Sequence, residues 1–281
     1  MTQADVIYQD LIQTIIEEGL DQSGAIRPHY ADGEPAYTRS IPHFHCVFKP
    51  EDGLPILQSK RIAVKTFLRE LDWIWRLQSN DVHQLQKMGC QVWNEWQLAD
   101  GTIGKAYGYQ LAKKCHQGTD KAPMNQVAFI LDQIQHHPNS RRIMTSLYDV
   151  DDLAEMALEP CVFLTHWQVS PDGKLQLNVV QRSADCALGL PSNWFEYGVL
   201  HRRVAQVTGR DLGDLHWTIF NAHIYLRHMD QLQEQVQGHW QNLPQPELVL
   251  PSSLDFFETP LTDCQVINYH HLGNFNYEIS I

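Results

Sequence analysis

Two runs of strand character joined by a short turn constrain the fold of this chain more than any other feature. The first run, CVFLTHWQV, begins at Cys161, and the second, KLQLNVVQRS, ends at Ser183. The SPDG segment between them has the composition of a tight turn. In the second run Leu175, Leu177 and Val179 alternate with other side chains, as in a strand whose two faces meet different surroundings. The pattern predicts two consecutive strands.

Apolar residues recur at helical spacing on both sides of these strands. The segments predicted as helices are residues 4–18, 64–77, Trp194–Thr208 and about Leu226–Gln237. Residues Asp21–Pro50 are predicted as loop and strand, and glycines after Trp96 predict turns there. Strands and helices alternate unevenly, so the expected class is α/β or α+β with a mixed sheet. No linker or repeat divides the chain, which predicts one domain over residues 1–281.

Composition excludes several classes of protein. A hydrophobic content of 43 % is enough for a packed core, and the net charge of −12 argues against a dedicated nucleic-acid binder. No apolar run is long enough for a membrane helix, and the N-terminal residues lack a signal-peptide pattern. Six cysteines without CxxC pairing suit a reducing compartment, so we expect a cytoplasmic protein.

Metal and nucleotide-loop motifs are missing from the sequence. There are 15 histidines, but the pairs His43/His45, His136/His137 and His270/His271 lack the spacing and the neighbouring acid of an HExxH site. Neither GxGxxG nor GxxxxGK[ST] occurs. We therefore expect no metal and no phosphate-binding glycine loop.

Cys161 and several arginines are the first candidates for chemistry. A lone cysteine is more often a small buried hydrophobe than a nucleophile, and a single arginine is usually a solvated surface charge. However, Arg141 and Arg142 are adjacent, and Arg182 precedes Ser183 at the end of the second strand. Guanidinium groups suit the planar capture of phosphate, and their charge would increase the thiolate fraction of a nearby cysteine.

An ordered set of motifs resembles the thymidylate synthase family along nearly the whole chain. The matching pieces are FLRELDWIW (67–75), VWNEW (92–96), GKAYGYQ (104–110), PNSRR (138–142), MALEPCV (156–162), QRSADCALGLPSN (181–193) and HIYLRHMDQ (223–231). The resemblance implies a large mixed β-sheet flanked by helices and a homodimer with a sheet face at its interface. It also implies reductive methylation of dUMP to dTMP by 5,10-methylenetetrahydrofolate, in the cytoplasm, or in the host cytoplasm for a viral protein.

The resemblance implies five residues for catalysis. Cys161 matches the nucleophile that adds to C6 of dUMP, which makes C5 able to attack the methylene of the folate. Glu70 matches the carboxylate that organises water and proton transfer at the base, and Tyr107 matches a tyrosine near the nucleophile. Arg182 and Asp185 complete this set.

The remaining implied residues bind the two small molecules. Those for dUMP are Arg27, Arg141, Arg142, Gln181, Arg182, Ser183, Asn193, His223 and Tyr225, with Arg141 and Arg142 contributed by the other subunit and Arg39 as the alternative to Arg27. Those for the folate are Trp93, Trp96, Asp185, Leu188, Gly189, Ser192 and Ile281. No metal is implied.

Asn193 bears on which base is bound. A carboxamide offers both a donor and an acceptor, which complement the O4 and N3–H of uracil. A carboxylic acid would instead match cytosine, and a mismatched base leaves buried polar groups unpaired. Asparagine therefore indicates a uracil base.

Five positions depart from the common family motifs. They are Val162 after the nucleophile, Asn94 in place of an acid, Ser192 in place of Phe, and Phe220 and Asn221 in place of Gly-Asp. We hypothesise that Ser192 opens volume or supplies a hydroxyl near the folate, and that Phe220 refills that volume; neutral repacking is the alternative.

Two other functions stay open on these residues. A related dUMP hydroxymethylase would add water to the same methylene, making 5-hydroxymethyl-dUMP and releasing tetrahydrofolate. A non-catalytic nucleotide-binding paralogue is the third possibility, although such a binder needs no nucleophile.

Overall fold

The two predicted strands form the centre of a five-stranded sheet. In a computed structural model of the chain, which describes residues 1–118, 121–237 and 243–280, they are β7 (Val162–Val169) and β8 (Lys174–Gln181). They pair antiparallel, with Trp167 opposite Leu177, and the register shifts between Val162 and Leu164. The prediction of two consecutive strands is confirmed.

The remaining helices and strands complete a mixed α/β fold, as the sequence predicts. The helices are α1 (Gln3–Glu18), α2 (Val64–Leu71), α3 (Val82–Lys87), α4 (Gly108–Ala112), α5 (Gln126–His136), α6 (Gly189–Thr208) and α7 (Met229–Gln237). The other strands are β1 (Leu20–Asp21), β2 (Thr38–Ile41), β3 (Phe44–Phe48), β4 (His116–Gln117), β5 (Pro123–Met124), β6 (Met144–Ser146), β9 (Ala184–Asp185), β10 (Asp211–Ile219), β11 (Ala222–Tyr225), β12 (Glu247–Val249) and β13 (Gln265–Ile267).

The large sheet has the strand order β3-β10-β8-β7-β6. β10 runs parallel to β8, whereas its other neighbour, β3, is antiparallel. Parallel neighbours need a crossover connection, and α6 lies in the segment that supplies it. A second sheet has the order β1-β2-β11-β9, and its strand β9 lies between β8 and α6 in the chain.

Helix α6 forms much of the core beside the large sheet. It ends at Gly209, whose φ of 66° is the left-handed conformation that glycine adopts without strain. The helix begins at Gly189, five residues before the predicted start at Trp194. The Asp185 carboxylate accepts hydrogen bonds from the N–H groups of Ala187 and Leu188 and so organises the approach to the helix.

The segment predicted as one helix over 64–77 changes geometry partway. It is α-helical to Leu71 and π-helical over Asp72–Arg76. Asp72 accepts two hydrogen bonds from Arg76 and another from the N–H of Leu261. This wider turn leaves both Trp73 and Trp75 buried.

One face of the large sheet is covered by helices and the other is partly exposed. Along β8 the buried residues alternate with the partly exposed Asn178 and Val180. On the same face His216 lies opposite Asn178, and its ring stacks on that of His45 with centroids 5.9 Å apart. Within the described ranges, no helix combines the length and the apolar character that crossing a membrane would require.

Candidate functional site

Cys161 and Arg182 meet at one end of the β7–β8 pair. Cys161 directly precedes β7 and Arg182 directly follows β8, so antiparallel pairing brings them together. The N–H of Arg182 donates to the Cys161 carbonyl at 2.8 Å. Its guanidinium donates to the carbonyls of Pro160 and Glu159, which leaves about three of its five N–H groups for a ligand. Arg182 therefore holds the loop of the cysteine and still presents a cationic edge.

Two arginine charges near the Cys161 thiol oppose the effect of its burial. Burial raises the pKa of the thiol, and the positive charges of Arg182 and Arg27 lower that pKa, whereas Asp185 raises it. Arg39 is already bound, since it forms a two-pronged ion pair with Asp21 at 2.6 and 3.0 Å. The geometry therefore favours Arg27 over Arg39 as the loop arginine of the site.

Tyr107 lies beside the same cysteine. Its hydroxyl accepts a hydrogen bond from the Cys161 N–H at 3.2 Å. Its backbone has a φ of 46°, an uncommon conformation for a bulky residue, which is held at the start of α4. Burial raises the pKa of the Tyr107 hydroxyl well above its usual range, so this hydroxyl stays protonated.

An aromatic wall connects Tyr107 to Glu70. The Trp93 ring packs edge-on against those of Tyr107 and Trp96, with centroids 4.9 and 5.6 Å apart. The Trp93 Nε1–H donates to Glu70 Oε1 at 2.8 Å. Burial raises the pKa of the Glu70 carboxyl, and the Trp93 hydrogen bond lowers it. Planar apolar rings next to a proton-carrying carboxyl fit a heteroaromatic co-substrate such as a reduced folate.

The start of α6 carries the other residues implied for the folate. Leu188 precedes the helix, Gly189 opens it, and Asp185 braces both through its hydrogen bonds. The Ser192 hydroxyl is buried and donates to the Gly189 carbonyl at 2.8 Å, so this hydroxyl is already used within the helix. The Ser192 oxygen keeps its lone pairs, so the hypothesis that this hydroxyl serves the folate stays a prediction.

Phe220 lies at the surface beside Phe163, and the hypothesis that it refills volume near Ser192 stays a prediction. Its ring is 48 % exposed and packs against Phe163, with centroids 6.2 Å apart. Asn221, which stands in place of an aspartate, still offers a side-chain acceptor to His223. The His223 Nδ1–H donates to Asn221 Oδ1 at 2.9 Å. In the neutral ring, Nε2 of His223 is then the acceptor nitrogen.

The other departures are structurally mild. Val162 is buried on β7 as an ordinary core residue. Asn94 is exposed and its Oδ1 accepts from Gln86 at 3.0 Å.

Asn193 is held from one side by a buried glutamine. The Gln181 Nε2–H donates to Asn193 Oδ1 at 3.2 Å, and Gln181 Oε1 accepts from Trp217 Nε1–H at 3.0 Å. His223 and Tyr225 lie on β11 with their rings 5.5 Å apart, and the charges of Arg27 and Cys161 both act on the pKa of Tyr225. Arg27, Arg182 and Tyr225 thus lie near Cys161, and Gln181 connects Asn193 to the end of β8.

Three of the implied nucleotide residues and one folate residue remain less closely tied to the site. Ser183 lies in the turn between β8 and β9. The Arg141 carbonyl contacts the ring of His166, which is five residues along β7 from Cys161, or about 16 Å at strand spacing. Arg142 is exposed in the same loop, and Ile281 lies outside the described residues.

Two buried polar residues of this region escaped sequence reasoning. Glu196 lies one helical turn after Asn193, and the Asn193 Nδ2–H donates to its Oε2 at 3.4 Å. Lys60 Nζ donates to the Ala187 carbonyl at 2.6 Å, and burial lowers the pKa of Lys60 to about 8. An acid inside an otherwise apolar helical stretch was the available signal for Glu196. Across residues 1–118, 121–237 and 243–280, no group of three or more His, Cys, Asp or Glu side chains is arranged to hold a metal ion.

Comparisons with known proteins agree with one another. A profile of the thymidylate synthase family matches residues 6–281. The chain is 42 % identical to the thymidylate synthase of Bacillus phage phi3T and 42 % identical to thymidylate synthase 1 of Bacillus subtilis strain 168, over the full length of each. Among solved structures, it resembles thermostable thymidylate synthase A from Bacillus subtilis with a TM-score of 0.94 and 41 % identity, covering both chains completely.

Proposed function

The chain belongs to the thymidylate synthase family and methylates dUMP to dTMP, and we propose that it does so through a covalent bond between Cys161 and C6 of the pyrimidine. The observation that carries this proposal is the position of Cys161 at the end of the β7–β8 pair beside Arg182, where the charges of Arg182 and Arg27 lower the pKa of its thiol against the burial that raises it. One catalytic domain over residues 1–281 is part of the same proposal.

The proposed reaction assigns a task to each group near the thiol. The Cys161 thiolate forms a bond to C6, and the electron pair of the C5–C6 double bond moves to C5. C5 then bonds to the one-carbon unit and loses its proton to a base, and the bond between that carbon and the folate nitrogen breaks. A hydride from the folate then reduces the exocyclic methylene to methyl, and the thiolate is expelled from C6. Glu70 moves protons at the base, and Tyr107 holds the cysteine loop. The co-substrate 5,10-methylenetetrahydrofolate supplies the one-carbon unit and the hydride, and the Trp93–Trp96 wall would hold it.

The dUMP site is proposed from the polar groups around Cys161. Arg27, Arg182 and Ser183 bind the 5′-phosphate, and His223 with Tyr225 binds the deoxyribose. Gln181 and Asn193 read the uracil ring. This assignment is supported by the buried Trp217–Gln181–Asn193 hydrogen bonds, which fix the Asn193 oxygen as an acceptor.

We propose a homodimer that forms through the partly exposed face of the large sheet. The position of Arg141 about 16 Å along β7 from the Cys161 of its own chain supports this proposal, because such an arginine reaches a site more readily from a second copy. Arg141 and Arg142 would then complete the phosphate site of the partner subunit. All six cysteines are free, which supports a reducing compartment such as the cytoplasm.

One incubation tests the reaction. Purified protein is mixed with dUMP and methylenetetrahydrofolate, the nucleotide is identified by mass spectrometry, and dihydrofolate is followed by absorbance. We expect dTMP and dihydrofolate in equal amounts; a hydroxymethylated nucleotide without dihydrofolate would contradict the reductive reaction. Covalent trapping with 5-fluoro-dUMP and the folate tests the nucleophile, with Cys161→Ser as the control that should form no adduct.

A further inference from the structure

Glu196 is a buried carboxyl in the middle of α6, where an isolated charge is costly. Glu196 is only 4 % exposed and lies between the buried residues Phe195 and Tyr197. A carboxylate in such surroundings persists only with hydrogen-bond donors or with a proton of its own. Its hydrogen bonds therefore reveal what it does.

A directional chain of hydrogen bonds reaches Glu196 from the large sheet. An indole N–H can only donate, so Trp217 fixes Gln181 Oε1 as an acceptor and leaves Gln181 Nε2 to donate to Asn193 Oδ1. The Asn193 Nδ2–H in turn donates to Glu196 Oε2. Glu196 Oε2 is thereby an acceptor, and a flipped Asn193 amide would set its NH2 against that of Gln181.

A second chain reaches the same point from the aromatic wall. Trp93 donates to Glu70 Oε1, and the carboxyl groups of Glu70 and Glu196 are within hydrogen-bonding reach of each other. Glu196 Oε1 is buried and receives no hydrogen bond from any N–H or neutral O–H of the described residues. Two carboxylates cannot bond to each other, so the contact requires one proton between them.

The neighbours of the pair supply little charge to replace that proton. Burial raises the pKa values of both carboxyls. The Glu70 charge raises the pKa of Glu196 further, whereas the hydrogen bond from Glu196 lowers the pKa of Glu70. The titratable groups that face them are Cys90, Tyr107 and Tyr197, and burial raises the pKa of all three, so they stay neutral near pH 7. Arg69 of α2 acts on Cys90 but donates to the Gly89 carbonyl.

We propose that Glu196 is a positioning residue that shares one proton with Glu70 and locks the Asn193 amide in the orientation that reads uracil. With Nδ2 directed to Glu196 and Oδ1 to Gln181, Asn193 keeps one N–H and one lone pair for O4 and N3–H of the base. The same carboxyl thus connects base recognition to the proton on Glu70. The identity of the base in this inference rests on the proposed function, whereas the shared proton is independent of that function.

Infrared spectroscopy of the ligand-free protein tests the shared proton, because a protonated carboxyl has a C=O band that a carboxylate lacks. We expect wild type to retain a buried carboxyl band above the pH range in which exposed carboxyls ionise, and Glu196→Gln to lose it. The amide of Glu196→Gln can accept from Asn193 and donate to a fully ionised Glu70. Glu258→Gln, at an exposed position, is the matched control that should keep the band. An unchanged band in Glu196→Gln would overturn the shared proton.

Calorimetric binding of dUMP tests the lock on Asn193 without requiring turnover. Glu196→Ala should bind dUMP about tenfold more weakly, the factor of one hydrogen bond of ordinary net strength, and Glu196→Gln should restore wild-type binding. Equal binding by the Ala and Gln variants would overturn the lock. A failure of the proposed function is separate, since it would appear as wild-type protein that makes no dTMP while the infrared result stands. Circular dichroism confirms that each variant is folded.

Discussion

Replacing Trp93 with phenylalanine should move the pH dependence of catalysis to higher pH. Trp93 Nε1–H donates to Glu70 Oε1 at 2.8 Å and lowers the pKa of Glu70 against the burial that raises it. Phenylalanine keeps an aromatic ring where Trp93 packs 4.9 Å from Tyr107 and removes only the donor and part of the ring area. The variant therefore isolates one hydrogen bond to a proton-carrying group.

The size of the effect follows from the strength of such a bond. A hydrogen bond to a charged group contributes about 1.5 to 3 kcal/mol, and a pKa difference of 1 corresponds to about 1.4 kcal/mol. Loss of the donor destabilises the ionised form and should raise the pKa of Glu70 by about 1 to 2. The carboxyl then keeps its proton to higher pH, so the limb of the kcat/KM profile that Glu70 governs moves upward by the same amount.

Steady-state kinetics with dUMP over a pH series measures this shift. Trp96→Phe is the matched control, because Trp96 belongs to the same aromatic wall but is not among the groups that shift the pKa of Glu70. A limb that stays in place in Trp93→Phe, or that moves to lower pH, would refute the assigned role of the indole.

Three further predictions concern assembly and stability. Arg142→Ala and Cys161→Ala should each be inactive alone. After the two variants are mixed and refolded, about a quarter of all active sites should work, because random pairing gives half mixed dimers with one intact site each. An inactive mixture would contradict a shared site. Asp72→Ala should lower the free energy of unfolding in urea by about 3 to 5 kcal/mol, because it leaves Arg76 without its carboxylate and the Leu261 N–H unpaired. The exposed Asp172→Ala is the control and should leave the free energy of unfolding nearly unchanged. Burial lowers the pKa of Lys60 to about 8, so the unfolded chain holds that proton to higher pH than the folded chain. The contribution of Lys60 to the free energy of unfolding should therefore rise between pH 8 and the ordinary lysine pKa of about 10.4. Urea unfolding across this range should show this rise in wild type and not in Lys60→Met, and an identical rise in both proteins would contradict the prediction.

Elements with local signals were predictable from the sequence, and elements set by distant partners were not. α1, β7 and β8 follow from spacing and turn residues that lie within each segment. At the π-helical turn, Asp72 is bound by the Leu261 N–H, a partner that is remote in sequence and leaves no local signal. β10 has an alternating pattern that was available, but its parallel pairing with β8 has no local signal.

The candidate site divides in the same way. The sequence motifs identified Cys161 and Arg182 as candidate site residues, and the antiparallel pairing of β7 and β8 is enough to make them neighbours. Glu196 lies outside the motif that ends at Asn193, and its importance arises only when α2 brings Glu70 beside it. The bond between Gln181 and Trp217 likewise depends on two strands whose pairing the sequence does not specify.

The parallel pairing of β8 and β10 determines when this binding site comes into being during synthesis. Cys161 and Arg182 belong to a hairpin that closes through a short turn, so their part of the site assembles as soon as both strands have emerged. Gln181 can bind Trp217 only after α6 and β10 have been synthesised. β3 likewise stays unpaired with β10 until most of the chain has been made. A nascent chain that stops before residue 211 carries the nucleophile but lacks the strand that orients the base-reading amides. We expect such truncated chains not to retain dUMP in pull-down from stalled ribosomes, so the protein acquires its ligand only when its synthesis is nearly complete.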